Sequence, residues 1–301
     1  MKSGASGPMT LGKLARFVLV AVAALVLAAV FSVVAGARHA LAPRDLPSAT
    51  PLSLAGASVD HGRHIAASFG ACLECHGADF GGGKPFFRGP MGTLVASNLT
   101  RGQGGVGSAY TDTDFERAIR GGVRPDGSGL LIMPSAAFAS MSDQDVRDVV
   151  AFIRSVPPVD RETPHRVVGP IAAILLATGK ILAEPDRIDE AATHLATTPA
   201  GPTAKHGEYI ARVGGCAECH GANFAGGHYE GSPKDPPASN ITPAAIGTWS
   251  QADFNRAMRE GRDPKGHALN AFMPWTSYGQ LSDDELSALW TYLRTIPPIK
   301  R

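Results

Sequence analysis

A mainly α-helical protein is predicted, with one membrane-crossing helix followed by two copies of a small helical domain. Three observations carry this. An uncharged apolar run lies near the N-terminus, the rest of the chain aligns with itself segment by segment, and apolar residues within each copy recur at helical spacing.

The N-terminal run comes first. Lys2, Lys13 and Arg16 precede an uncharged stretch from Phe17 to Ala37, rich in Val, Leu and Ala. About 20 such residues rising ~1.5 Å each cross the hydrocarbon core of a bilayer. Residues 1–16 are therefore expected to be a cytoplasmic basic segment and 17–37 a transmembrane anchor. A secretory signal competes with this reading. Its apolar core is shorter, roughly 7–15 residues, and Ala35-Gly36-Ala37 is the small-residue site at which it would be cut. Either way the basic residues stay inside and the rest is exported.

A formal net charge of +1 provides no clustered basic surface, so no nucleic-acid partner is expected. Glycine (35) and proline (23) are abundant and aromatic residues make up only 7%. That composition suits loop-rich domains whose small cores a bound cofactor would fill.

The duplication is explicit in four matched segments. HGRHIAASFGACLECHGADFGGG (61–83) matches HGEYIARVGGCAECHGANFAGG (206–227), and ASNLT (96–100) matches ASNIT (238–242). TDTDFERAIRGGVRPDG (111–127) matches WSQADFNRAMREGRDPKG (249–266), and the run 132–159 matches 272–299. The domains are expected at 58–160 and 203–300, with a linker at 161–202.

Each copy predicts three main helices. The first carries His61–Phe69 or His206–Val213 and runs into a cysteine motif. The middle one follows Thr111 or Ser250, with Thr113/Glu116 and Ser250/Asp253 as capping pairs. The last begins at Ser142 or Ser282, with Asp145 or Glu285 three residues on. Its apolar stripe is Val146, Val149, Val150 and Ile153, matched by Leu286, Leu289, Trp290 and Leu293. Glycine-rich stretches such as GADFGGGKPFFRG read as loops. In the linker, VVGPIAAILLATGKILA (167–183) is an apolar run interrupted by glycine, proline and lysine. It is expected to pack between the domains or lie on the membrane, a second span being the alternative.

CLECH (72–76) and CAECH (216–220) hold all four cysteines of the chain. Cys-x-x-Cys alone fits zinc ribbons and redox dithiols, and four thiolates would suit one tetrahedral zinc. Two pairs at equivalent places in duplicated domains favour one cofactor per domain, and no βαβ context for a dithiol is visible. Histidine directly after the second cysteine, in both copies, makes this the c-type haem attachment pattern. Cys72, Cys75, Cys216 and Cys219 would form thioethers to two covalently bound haem c groups, and His76 and His220 would reach the irons.

The other axial position decides between carrier and enzyme. Met133 lies 57 residues beyond His76 and Met273 lies 53 beyond His220, and each precedes a proline that stiffens the loop. Met141 aligns with Leu281 and Met258 with Ile119, so those two read as core, and Met91 as a loop residue. His61 and His206 read as stabilisers of their helix starts. His64 aligns with Tyr209 and reads as surface. Asn98, Thr100, Asn240 and Thr242 suit either hydrogen bonding to a haem or an ordinary turn.

HGEYIARVGGCAECHG, SNIT, WSQADFNRAMREGRDPKG and FMPWTSYGQLSDDELSALWTYLRTIPPI together resemble a cytochrome c domain of bacterial membrane-associated electron-transfer chains. The cytochrome c subunits of membrane-bound alcohol, gluconate and aldehyde dehydrogenases are particularly similar, over roughly 58–160 and 203–300. The resemblance implies a mainly α fold, an N-terminal transmembrane helix followed by two tandem class I-like cytochrome c domains, each His/Met-ligated. It implies an electron carrier, not an enzyme, at the periplasmic face of the inner membrane. The donor would be a dehydrogenase or quinol-oxidising complex and the acceptor an oxidase or soluble cytochrome. Those subunits usually carry three haem motifs where this chain has two, which fits a separate dihaem carrier. The alternative is a dihaem redox enzyme of peroxidase or thiosulfate-dehydrogenase type, which needs one open or labile iron face.

Overall fold

The apolar run folds as one helix, α1 (Leu11–Ala40), in a computed structural model that describes residues 10–46, 50–189, 194–227 and 237–300. Lys2 lies outside the described residues, as do the edges of several loops. Among the described residues, α1 is the one helix long and apolar enough to cross a membrane. It extends beyond the predicted 17–37 at both ends, and its apolar side chains point outward without protein partners over most of its length.

The first copy follows: α2 (Val59–Ala67), α3 (Cys72–His76), β1 (Pro85–Phe87), β2 (Gly92–Val95), α4 (Asp112–Gly121), α5 (Ser135–Phe138) and α6 (Asp143–Ser155). The linker supplies β3 (Val167–Val168) and α7 (Pro170–Ala177). The second copy is α8 (Ala204–Val213), α9 (Cys216–His220), α10 (Pro243–Ile246), α11 (Gln251–Glu260), α12 (Trp275–Tyr278) and α13 (Asp283–Leu293). The glycine-rich stretch read as loop contains β1, which joins β2 and β3 in a small antiparallel sheet. Strands of two to four residues leave no alternation to detect.

In each copy the first helix packs on the last, α2 on α6 and α8 on α13. The crossing is close enough that a Cβ at Gly62 would sit 1.9 Å from the Asp148 carbonyl oxygen, and one at Gly207 2.0 Å from that of Ala288. Neither backbone can yield without opening the core around Ile65, Val146 and Val150, or Ile210, Leu286 and Leu289. Gly62→Ala is therefore expected to cost about 1–3 kcal/mol of stability by overpacking. Denaturant unfolding of the haem-loaded protein measures it, and a cost near zero would show that the helices separate freely.

Capping holds the other helices as expected, with one correction. The box on α4 is Thr111 with Asp114, not Thr113 with Glu116. Thr113 Oγ1 instead accepts from the Leu52 backbone N–H at 2.9 Å.

The two copies face each other through equivalent positions. His64 Nε2–H donates to Glu285 (2.8 Å), and Tyr209, the residue matched to His64, donates to Asp145 (2.6 Å), the residue matched to Glu285. His64, read as surface, is thus half-buried at this pseudo-two-fold interface. The hydrogen bond to Glu285 raises its pKa above 6.5 against the opposing effect of burial. Burial would raise the Glu285 pKa, but the bonds from His64 and Ser282 outweigh it and lower it.

The sign follows from linkage. A raised histidine stabilises fully below its unfolded value and loses that contribution as pH climbs through the folded one. A lowered carboxylate holds until pH falls through its own folded pKa. The interface should therefore weaken as pH climbs from 6.5 through the raised folded value of His64. His64→Gln should flatten that part of the thermal-stability profile, and identical profiles for the two proteins would refute the assignment.

Candidate haem sites

Each cysteine motif is a single short helix entered from a left-handed residue, Ala71 (φ 45°) or Gly215 (φ 66°). Each is left through a positive-φ glycine, Gly77 (φ 76°) or Gly221 (φ 78°). These turns set both cysteines and the histidine on one short segment at the end of the first helix. The four cysteines form no disulfide. Burial pushes Cys72 and Cys216 up to about 12 and raises Cys75 and Cys219 as well. Among the described residues the four cysteines do not gather into one ligand cluster, which separates the two motifs as the duplication implied.

The histidines are oriented by backbone. His76 Nδ1–H donates to the Ser97 carbonyl at 2.9 Å, and His220 Nδ1–H to the Ser239 carbonyl at 2.7 Å. A carbonyl only accepts, so Nδ1 carries the proton and Nε2 keeps its lone pair. Burial lowers both pKa values, the carbonyl bonds opposing it, and the rings are held neutral. This is the state a metal-binding imidazole requires.

The matched ASN(L/I)T loops that supply these carbonyls are themselves pinned. Asn98 Nδ2–H donates to the Val159 carbonyl (2.7 Å) and Asn240 Nδ2–H to that of Ile299 (2.7 Å). Asn98 Oδ1 and Asn240 Oδ1 accept the backbone N–H of Thr100 (2.9 Å) and Thr242 (2.8 Å). The asparagines are therefore spent on tying the loop to the chain after the last helix. Nothing in the side-chain letters pointed to Ser97 or Ser239, because the group that acts is a carbonyl.

Met133 and Met273 occupy the same local geometry. Each precedes a proline with φ −77° that starts a one-turn helix, and each carbonyl accepts from the residue two positions on (Ser135, 2.7 Å; Trp275, 2.8 Å). Both are half-buried against the core. In the second domain the convergence is complete. A cavity of about 400 Å³ is walled by Cys216, Cys219, His220 and Met273, with Ile241, Trp249, Phe254, Leu289 and Leu293 supplying apolar surface. Two thiols, a neutral imidazole and a thioether on one apolar cavity fit a covalently held haem in size and in donor chemistry.

The family model for cytochrome c matches residues 59–157 and 204–297. The chain belongs to the cytochrome c family. Similar proteins include the fructose dehydrogenase cytochrome subunit of Gluconobacter japonicus, 29% identical over 82% of this chain and 54% of that one. The cytochrome c subunit of alcohol dehydrogenase (quinone) of Gluconacetobacter polyoxogenes is 28% identical over 90% and 61%. The gluconate 2-dehydrogenase cytochrome c subunit of Pantoea cypripedii is 42% identical, over 29% and 22%. The chain spans between half and two thirds of the length of the first two relatives.

The two cytochrome c domains meet near their cysteine motifs. Glu74, between Cys72 and Cys75, accepts from Ser277 Oγ (2.8 Å) and Thr276 Oγ1 (3.2 Å) on α12, the helix that begins just after Met273. In the reciprocal place Ala137 of α5 lies beside Gly215, which leads into Cys216. The linker adds Glu184, fully buried, which accepts from the Ala136 backbone N–H (3.1 Å) near Met133 and from Arg187 (2.9 Å). Each motif therefore abuts the methionine-proline helix of the other domain.

Proposed function

We propose that this chain is a dihaem c-type electron carrier on the periplasmic face of a bacterial cytoplasmic membrane, anchored by α1. The carrying observation is the second-domain cavity, which brings Cys216, Cys219, His220 and Met273 onto shared walls. By the duplication, Cys72, Cys75, His76 and Met133 do the same in the first domain. When bound, haem c supplies an iron centre that gains and loses one electron.

The chain does the rest. The cysteine sulfurs tether the group covalently, which keeps it in place without a large core. The Ser97 and Ser239 carbonyls fix the imidazole rings and strengthen them as donors. Met133 and Met273 would hold the iron as thioether donors and would favour a relatively high potential. The apolar lining limits access of water and substrate. Abutment of each motif on the other domain's methionine helix keeps the two sites adjacent, as a relay between a donor and an acceptor requires.

Relatives named as dehydrogenase cytochrome subunits support a dehydrogenase as donor. An oxidase or soluble cytochrome is the corresponding acceptor. The test is an optical titration of the reduced, haem-loaded protein with carbon monoxide. Neither iron should take up the gas. Uptake at one of them would mean an open face, defeat the carrier reading and turn attention to peroxide and sulfur substrates.

A further inference from the structure

The linker run 167–183 neither packs between the domains nor forms a second span. Its helix, α7, lies against the last turns of α1, where the Cβ of Ala177 comes within 2.8 Å of the place a Cβ on Gly36 would occupy. The α1 face that loses exposure there carries Val33, Gly36, Ala37 and Ala40, so the covered face begins inside the apolar run and reaches past its outer end. Eight helical residues span about 12 Å.

The other side of α7 is uncovered. Ile171 and Ile174 are 45% and 48% exposed, with Pro170 and Thr178 beside them, and no residue of α7 is charged. A water-facing helix surface carries a polar stripe. Exposed Val167 and Leu182 flank the helix in the chain, and exposed Lys180 follows it in the turn. On α1 itself the exposed cation Arg38 lies two residues beyond Gly36.

We infer that α7 is a second membrane attachment, its Ile171/Ile174 face buried in the outer-leaflet boundary between acyl chains and headgroups, with Lys180 and Arg38 at phosphate level. The surface is continuous with the bilayer-facing side of α1, and the cations Lys180 and Arg38 lie at the ends of the two apolar helices, where long basic side chains reach headgroups. The inference rests on α1 spanning the bilayer. Its consequence is mechanical. Through β3 and the Gly169–Met91 backbone bond, α7 is joined to the first domain, so that domain is held at a fixed height over the membrane and does not swing on a tether.

The test uses the full, haem-loaded chain in vesicles of phosphatidylcholine with a minority of phosphatidylglycerol. Ile174→Cys and Asp60→Cys, the latter on a fully exposed α2 position, are reacted with a membrane-impermeant maleimide, each normalised to its own unfolded chain. The unsubstituted protein sets the background. Ile174→Cys should react roughly tenfold or more slowly than Asp60→Cys if the face lies in lipid. Equal rates in protein that still floats with the vesicles after an alkaline wash would overturn the α7 inference alone. Failure to float would defeat the spanning role of α1 and the inference with it. Protection that disappears when the chain is diluted in lipid would assign the face to a second copy and also overturn it.

Discussion

Met273→Ala is expected to leave both haems covalently attached while one of the two reduced irons gains affinity for carbon monoxide. The affected potential should fall by on the order of 0.1 V or more, within the ~0.8 V that axial ligands span. Met133→Ala should do the same for the other iron, and the double variant should open both. The loop should survive the change, because Pro274, the Met273 carbonyl bond to Trp275 and the Met273 N–H bond to Asn270 (3.0 Å) are backbone features. Met258 is the control. It borders the same cavity but is buried on α11 and occupies the position of Ile119 in the first copy. Met258→Leu should alter neither carbon monoxide binding nor potential. If it does, and Met273→Ala does not, the ligand assignment in the second domain is wrong.

Duplication explains more of this molecule than the repeated motif does. Two copies of one domain meet through the same patch, so each interface residue appears twice in changed form: His64 where the other copy has Tyr209, Glu285 where it has Asp145. An isologous contact of this kind brings like surfaces together, and here the like surfaces border the cysteine motifs. Adjacency of the two sites thus follows from the symmetry of the contact, with Glu74 and Ser277 on one side and Gly215 and Ala137 on the other.

What could be read in advance follows a physical line. The cysteine-histidine motifs, the long apolar helix and the Ser142 and Ser282 helix starts are local patterns whose meaning does not depend on the fold. The α4 cap was misplaced because Thr111-x-x-Asp114 and Thr113-x-x-Glu116 satisfy the same pattern, and only the helix phase chooses. His64 looked like surface because exchange with tyrosine is what a surface position tolerates, yet both residues are amphipathic donors that suit an interface. A glycine inside a helix is a sign of close backbone approach, so the matched positions of Gly62 and Gly207 carried a signal that the expectations above did not include. The Ser97 and Ser239 carbonyls were not, since every residue carries one. The run 167–183 was too short to decide its own place, which depends on Gly36 being available to receive Ala177.

Tyr209→Phe is expected to be among the most damaging single changes away from the haem sites. The phenol is buried, and burial together with the neighbouring Asp145 carboxylate holds it well above its ordinary pKa. It makes two bonds at once: it accepts from the Ser142 backbone N–H (2.9 Å) and donates to Asp145 Oδ2 (2.6 Å). In the second copy the equivalent N–H, that of Ser282, is satisfied by Glu285 in a full capping box. In the first copy Tyr209 has replaced that arrangement and freed Asp145 from capping. Removing the hydroxyl strands the Ser142 N–H and takes away the hydrogen bond to Asp145 Oδ2. Asp145 is fully buried, and its Oδ1 already has no hydrogen bond. At about 1–3 kcal/mol for each of the two buried groups left unpartnered, the loss should be roughly 2–6 kcal/mol. His64→Ala, at the more exposed matched contact, should cost only about 0–1 kcal/mol. Denaturant unfolding of the haem-loaded variants compares them. Equal costs would mean that the hydroxyl contributes no more than its counterpart, and that the inter-domain contact is held by apolar packing such as Phe69 on Tyr209, which the phenylalanine variant keeps.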